Sequence, residues 1–266
     1  MKALHNKDVN GMFLILLLTL LTATSCINRL RVGETQTLSE SVVLGDASKA
    51  RVEINMGAGE LNIGSGAESL VDAEFVYNIE EWEPELNYEV RGDTGNLLIE
   101  QASSIDNIGV PDDDVEYIWN IELGQNVPLE MNIQFGAGRG NLELMDLDVT
   151  RLDLSTGAGE FDIAVAGQLA DLDLQAGAGE IRLDLRGDWQ EDLDASIRGG
   201  VGQIAILLPS GVGVRVNVRQ GIGSVEATGL IRDGDDYVNE AFGESEVTLD
   251  IDVEGGVGEI VLEVSE

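Results

Sequence analysis

The chain of 266 residues holds one cysteine (Cys26), one histidine (His5) and four prolines. Lysine is nearly as scarce, at Lys2, Lys7 and Lys49. Each shortage removes a class of chemistry. A lone cysteine rules out an intrachain disulfide, and one His with one Cys cannot furnish a zinc site of Cys and His ligands. Nucleophilic catalysis that needs a His or Cys base pair has no residues to use downstream of Cys26. A Ser–Lys pair would have to use Lys49, which has no Ser-x-x-Lys spacing. A net charge of −35 without any basic stripe argues against nucleic acid as a partner. Aromatics are few, and Trp82, Trp119 and Trp189 are scattered along the sequence. Carboxylates are so abundant that a pair fit for glycoside hydrolysis carries no information, and most of them alternate with leucine.

The amino terminus contains the longest apolar run. Lys2 and Lys7 precede Gly11–Ala23, which is too short for a membrane span and suits a signal segment. It ends in Ala23-Thr24-Ser25-Cys26, which resembles a bacterial lipobox, with cleavage before a cysteine that is then lipidated. Leu is commoner at the place of Ala23. The expected anchor is therefore a lipid on Cys26, and the membrane is one expected partner. Cleavage there removes Lys2, Lys7 and Asp8 and leaves a net charge of −36.

What is plentiful is glycine. One phrase, Gly, a small apolar residue and Gly, occurs seven times: Gly57–Gly59, Gly136–Gly138, Gly157–Gly159, Gly177–Gly179, Gly200–Gly202, Gly221–Gly223 and Gly256–Gly258. Successive copies are 79, 21, 20, 23, 21 and 35 residues apart, and the steps near 21 define a repeat. Runs with period-two alternation flank each phrase, as in Leu152-Asp153-Leu154 and Phe161-Asp162-Ile163, which predicts half-buried strands. The glycines are expected at corners, where a positive φ or close backbone stacking excludes a Cβ. The middle residue is always apolar, so it is expected to point inward. Arg139 and Gly140 read as a two-residue insertion, a bulge or widened corner that keeps the alternation in phase.

Two all-β architectures fit this pattern. In a β-solenoid each repeat is one parallel coil, with Leu152 over Leu172 and Gly157 over Gly177. In an antiparallel meander each phrase is a hairpin, but tight hairpins favour Asn-Gly or Asp-Gly, which these corners lack. The solenoid is the preferred reading. A single coil cannot offset its own backbone ordering, so several must stack between capped ends.

The organisation expected along the chain is a signal peptide over 1–26, a polar tether over 27–40, an N-terminal β module over 41–128 and a β-solenoid over 129–266. The 79-residue step implies that regular coiling starts only near residue 129, and Glu246–Val264 is expected as the closing coil. Trp119-Asn120, Val127-Pro128-Leu129, the Gly-Ala-Gly-Glu phrases, Leu208–Val216 and Gly256–Ile260 resemble the bacterial toast-rack family. The C-terminal part of that family is similar to the LiaF-like domain of cell-wall-stress regulators and to adhesin-like repeats. Ala67–Tyr77 and Leu97–Gln101 fit its first module. The resemblance implies a β-solenoid-like fold at the bacterial envelope and brings no catalytic residues.

The function expected is therefore non-catalytic: a lipid-anchored envelope protein presenting an acidic surface to an envelope protein or surface ligand. An envelope-stress sensor acting through a partner is the alternative, though the chain lacks the several membrane spans of the stress regulators. A Ca²⁺-stabilised module is a further one, since stacked carboxylates repel each other and oxygen ligands suit Ca²⁺. Asp106 with Asp112, Asp113 and Asp114 is one candidate cluster; Asp233, Asp235 and Asp236 are the other. No other cofactor is expected. The glycines are not a phosphate cradle, because no helix and no Lys-Ser/Thr follows them.

Overall fold

The computed structural model describes residues 32–102 and 115–265. The leader with Cys26, and Asp106 and Asp112–Asp114, lie outside these described residues. Six repeats supply long strands that each turn through one glycine phrase: β2 (Lys49–Ser65), β7 (Leu129–Glu143), β8 (Val149–Ala164), β9 (Asp171–Asp184), β10 (Leu193–Pro209) and β11 (Gly213–Thr228). β14 (Thr248–Ser265) is the seventh. They stack in parallel, in the order β2-β7-β8-β9-β10-β14-β11. The middle residues Ala58, Ala137, Ala158, Ala178, Val201, Val257 and Ile222 lie in register from coil to coil. This is a β-solenoid of parallel coils with glycine corners.

Each strand contributes two arms of a coil, one on either side of its corner, and the following connector closes a third side. The connectors extend the ladder, with Leu144 N donating to Ala164 O (2.8 Å), Val165 N to Asp184 O (3.0 Å) and Leu185 N to Leu207 O (2.9 Å). Period-two alternation then puts aliphatic columns inside. Ile54, Ile133, Leu154, Leu174, Ile197 and Val253 form one column, all at most 1% exposed. Across the corner, Ile63, Leu142, Ile163, Leu183, Ile206 and Leu262 form another. Neighbouring coils, about 4.8 Å apart, bury each other's columns, which none could do alone.

Four expectations are corrected. First, the solenoid begins at β2: both arms of β2 pair with β7, Gly59 against Gly138. The 79-residue step is an excursion that builds a cap. β5 (Thr94–Gln101) pairs with the first arm of β2 and β6 (Tyr117–Leu123) with the second. Antiparallel neighbours extend each, β4 (Pro84–Arg91) on β5, and β3 (Val71–Tyr77) then β1 (Gln36–Val42) on β6. Residues 36–40, within the stretch read as tether, are thus part of the sheet.

Second, the middle residues point outward; Val201, Ile222 and Val257 are 58%, 72% and 47% exposed. Inward residues on one strand fall two apart, but inward Phe135 and Gly140 are five apart. The corner must therefore absorb a phase change, and Gly138, at φ 140°, supplies it. Third, Arg139-Gly140 is no insertion, since Gly140 pairs directly with Phe161. A side chain on Gly140 would occupy the space of the Phe161 ring, which instead packs edge-on to Phe135 at 5.1 Å. The irregularity falls at Leu129/Glu130, where β8 carries the extra residue Thr150. Fourth, β14 is not the closing coil: it runs between β10 and β11, hydrogen-bonded to both. β11 ends the stack, and a small hairpin of β12 (Ile231–Asp233) and β13 (Asp236–Val238) covers only Arg215–Asn217 of it.

Candidate functional site

The corners generate a long hollow on the molecule's surface. The second glycine of each phrase has φ between 130° and 148°. A Cβ on Gly159 would collide with the carbonyl of Gly138, and the same holds up the column. The first glycines, which have no side chains, and the residues just before them line a groove of about 1250 Å³ crossing β2, β7, β8, β9, β10 and β14. It runs along the solenoid axis, across the strands.

Three kinds of group line it. The floor is Met56, Phe135, Thr156, Ala176, Gly199 and Gly255, one column in which side chains shrink along the stack. The Thr156 hydroxyl lies in that floor, 9% exposed as a residue, with no partner among the described residues. One wall is the row two places before each first glycine: Asn55, Gln134, Ser155, Gln175, Arg198 and Glu254. Neighbouring carboxylates hold several of these, with Asn55 Nδ2 donating to Glu53 (3.0 Å), Gln175 Nε2 to Asp173 (3.0 Å) and Arg198 to Asp173 (2.8 Å). The Asn55 side-chain oxygen has no partner among the described residues. The third group is the end wall, where Gln101 accepts from Gly57 N (2.9 Å) and Trp82 stands beside it.

Trp82 is placed by its own surroundings. It sits in a 3-10 turn, Glu80–Trp82, and its carbonyl accepts from Tyr117 Oη (2.7 Å). Burial pushes the Tyr117 phenol well above its usual range, so it stays a donor. The two rings meet edge to face at 5.2 Å, and Tyr117 leads on to Trp119 and Phe75 in the cap core. Trp82 also borders a second hollow of about 640 Å³ with Glu60, Arg139 and Glu160. Its isolation in the sequence concealed this role. A large ring inside the acidic turn Glu80–Glu85 was the available signal.

Outside the groove, arginines pair with some of the carboxylates on neighbouring coils, and the surface as a whole stays acidic. Arg51 pairs with Glu130 (2.6 Å), Arg182 with Asp162 (2.8 Å) and Arg215 with Asp250 on adjacent coils, while Arg139 lies 3.9 and 3.8 Å from Glu60 and Glu160. Among the described residues no group of three or more His, Cys, Asp or Glu is placed to hold a metal ion. Asp233, Asp235 and Asp236 belong to the turn of the closing hairpin, and Asp236 accepts from Asn217 (2.7 Å). No described helix is long and apolar enough to cross a membrane.

A family model for the N-terminal domain of toast_rack (DUF2154) matches residues 31–169 and 166–207. No curated relative matches. Among solved structures, that of a putative cell adhesion protein from Clostridium sporogenes is 28% identical, with a TM-score of 0.70 over 87% of this chain and 100% of that one. Putative adhesins from Bacteroides fragilis and Parabacteroides merdae are 11% and 14% identical, each covering 86% of this chain and 96% of theirs at TM-scores of 0.28. With the family match spanning most of the stacked coils, the chain belongs to the toast_rack family.

Proposed function

We propose that this protein is a non-catalytic, lipid-anchored component of the bacterial cell envelope that presents its acidic solenoid for adhesive or structural contact. The single observation that carries the reading is the likeness, over 87% of the chain, to the Clostridium protein described as a putative cell adhesion protein. The surface supports it. Several of its arginines pair with carboxylates on adjacent coils, as Arg51 does with Glu130 and Arg182 with Asp162. A stack of this kind holds a binding face rigid and away from the membrane, while the lipobox-like Ala23–Cys26 supplies the anchor.

The test has two parts. Cys26→Ser should move the protein from the membrane fraction to the soluble fraction; retention in the membrane would refute the lipid anchor. Cells displaying the protein should adhere to host or abiotic surfaces better than cells lacking it, and equal adherence would refute the adhesive role.

A further inference from the structure

We propose that the corner groove binds an extended, uncharged glycan chain lying along the solenoid axis, a proposal that rests on the adhesive reading and names its ligand. The direction of the groove is the first argument. A bound chain runs across the strands, where main-chain groups along the corner face the next coil; Gly57 N, for example, is already taken by Gln101. A peptide would look for main-chain partners of the kind a free sheet edge offers. The groove offers side-chain amides and hydroxyls instead, which suit a ligand made of hydroxyl groups.

Charge is the second argument. In a chain of net charge −35, four of the six rungs of the wall, Asn55, Gln134, Ser155 and Gln175, are neutral, and the last two, Arg198 and Glu254, carry opposite charges that cancel. Acidic polymers would still meet the surrounding field, and cationic ones would find their partners on the carboxylate rows rather than here. The third argument is repeat matching. The rungs recur at about 4.8 Å, close to the advance per sugar of an extended β-linked chain, so each sugar lies against about one rung. Trp82 at the end of the groove offers a ring face for the terminal sugar.

The experiment is calorimetric titration of the purified chain with cellohexaose, xylohexaose, mannohexaose and chitohexaose, and with their disaccharides. At least one hexasaccharide should bind, at least tenfold tighter than its disaccharide. Gln134→Ala with Gln175→Ala should weaken that binding at least tenfold, and Ser155→Trp, which fills the groove from an exposed position, should abolish it. Both variants should keep the parental Tm. The proposal is overturned if no hexasaccharide binds, if binding survives Ser155→Trp, or if a random extended-peptide library yields ligands blocked by Ser155→Trp while the sugars do not bind. Adhesion of cells carrying Ser155→Trp separates the two readings. Undiminished adherence would overturn the groove and leave the adhesive role standing, whereas adherence equal to that of cells lacking the protein would refute the role itself.

Discussion

The two ends of the solenoid are closed by opposite means. At the β2 end, two antiparallel flaps cover both arms of the coil, and the large side chains Phe75, Tyr117 and Trp119 seal the columns, with Trp119 fully buried. At the β11 end, the β12–β13 hairpin covers three residues of one arm, and the other arm, Ser224–Thr228, has no strand on its outer side among the described residues, with Val225 and Ala227 only half-buried. Stability at the first end comes from area. At the second it comes from hydrogen bonding at one residue. Buried Asn239 donates to Pro209 O (3.2 Å) and Val212 O (2.7 Å) and accepts from Val214 N (3.0 Å). It thereby pins the short link that carries the chain from β10 past the slot later filled by β14. Gln220 completes this end by reaching across to Gly258 O (3.1 Å).

Four measurements sharpen the contrast. The largest effect is expected from Trp119→Ala, which opens a cavity in the capped end and should cost about 3–5 kcal/mol in urea unfolding. A loss below about 1 kcal/mol would mean the cap is not tied to the stack. Asn239→Ala should cost about 2–3 kcal/mol, since it strands one buried N–H and two carbonyls. Hydrogen exchange should rise first in β11 and β14, and a uniform rise would refute the latch. Val225→Ala, at the open edge, should cost about 1 kcal/mol or less by the same unfolding assay; a loss like that of Trp119→Ala would place a hidden partner on this edge.

The smallest effect concerns pH and belongs to neither end. The Arg186 hydrogen bond holds the Asp184 carboxyl below its ordinary value. The native state therefore binds its proton less readily than the unfolded chain, and the pair stabilises above the usual carboxylate range and is lost as pH falls through the lowered value. Arg186→Gln should lower Tm slightly at pH 7, within about 1 kcal/mol, and not at all well below the carboxylate range. An equal loss at both pH values would assign the effect to packing.

Parts of the molecule were open to reading from residues alone. The strands of the array follow from the alternation of Leu, Ile and Val with Asp and Glu, and the corners from the glycine pairs. The cap strand β1 was not visible, because Gln36–Val42 is an edge strand with only Leu38 and Val42 apolar. Gly140 misled because a glycine at an inward position reads as punctuation until the Phe161 ring is seen to occupy its space. The groove's wall sits at a fixed offset from each corner, whereas Trp82 is brought to it by a contact with Tyr117 from a distant strand.

Sequence by itself determined the coil: the alternation of the strands, where each strand turns, and that the turns align, because alternation and missing Cβ atoms are local constraints. Tertiary structure alone decided which coil lies beside which, the place of β14 between β10 and β11, the start of the stack at β2 and the outward aim of the middle residues. The physical reason is that every coil offers its neighbours nearly the same ladder and the same columns. Neighbour choice therefore rests on connector length and on single contacts such as those of Asn239 and Gln101, which no local pattern encodes.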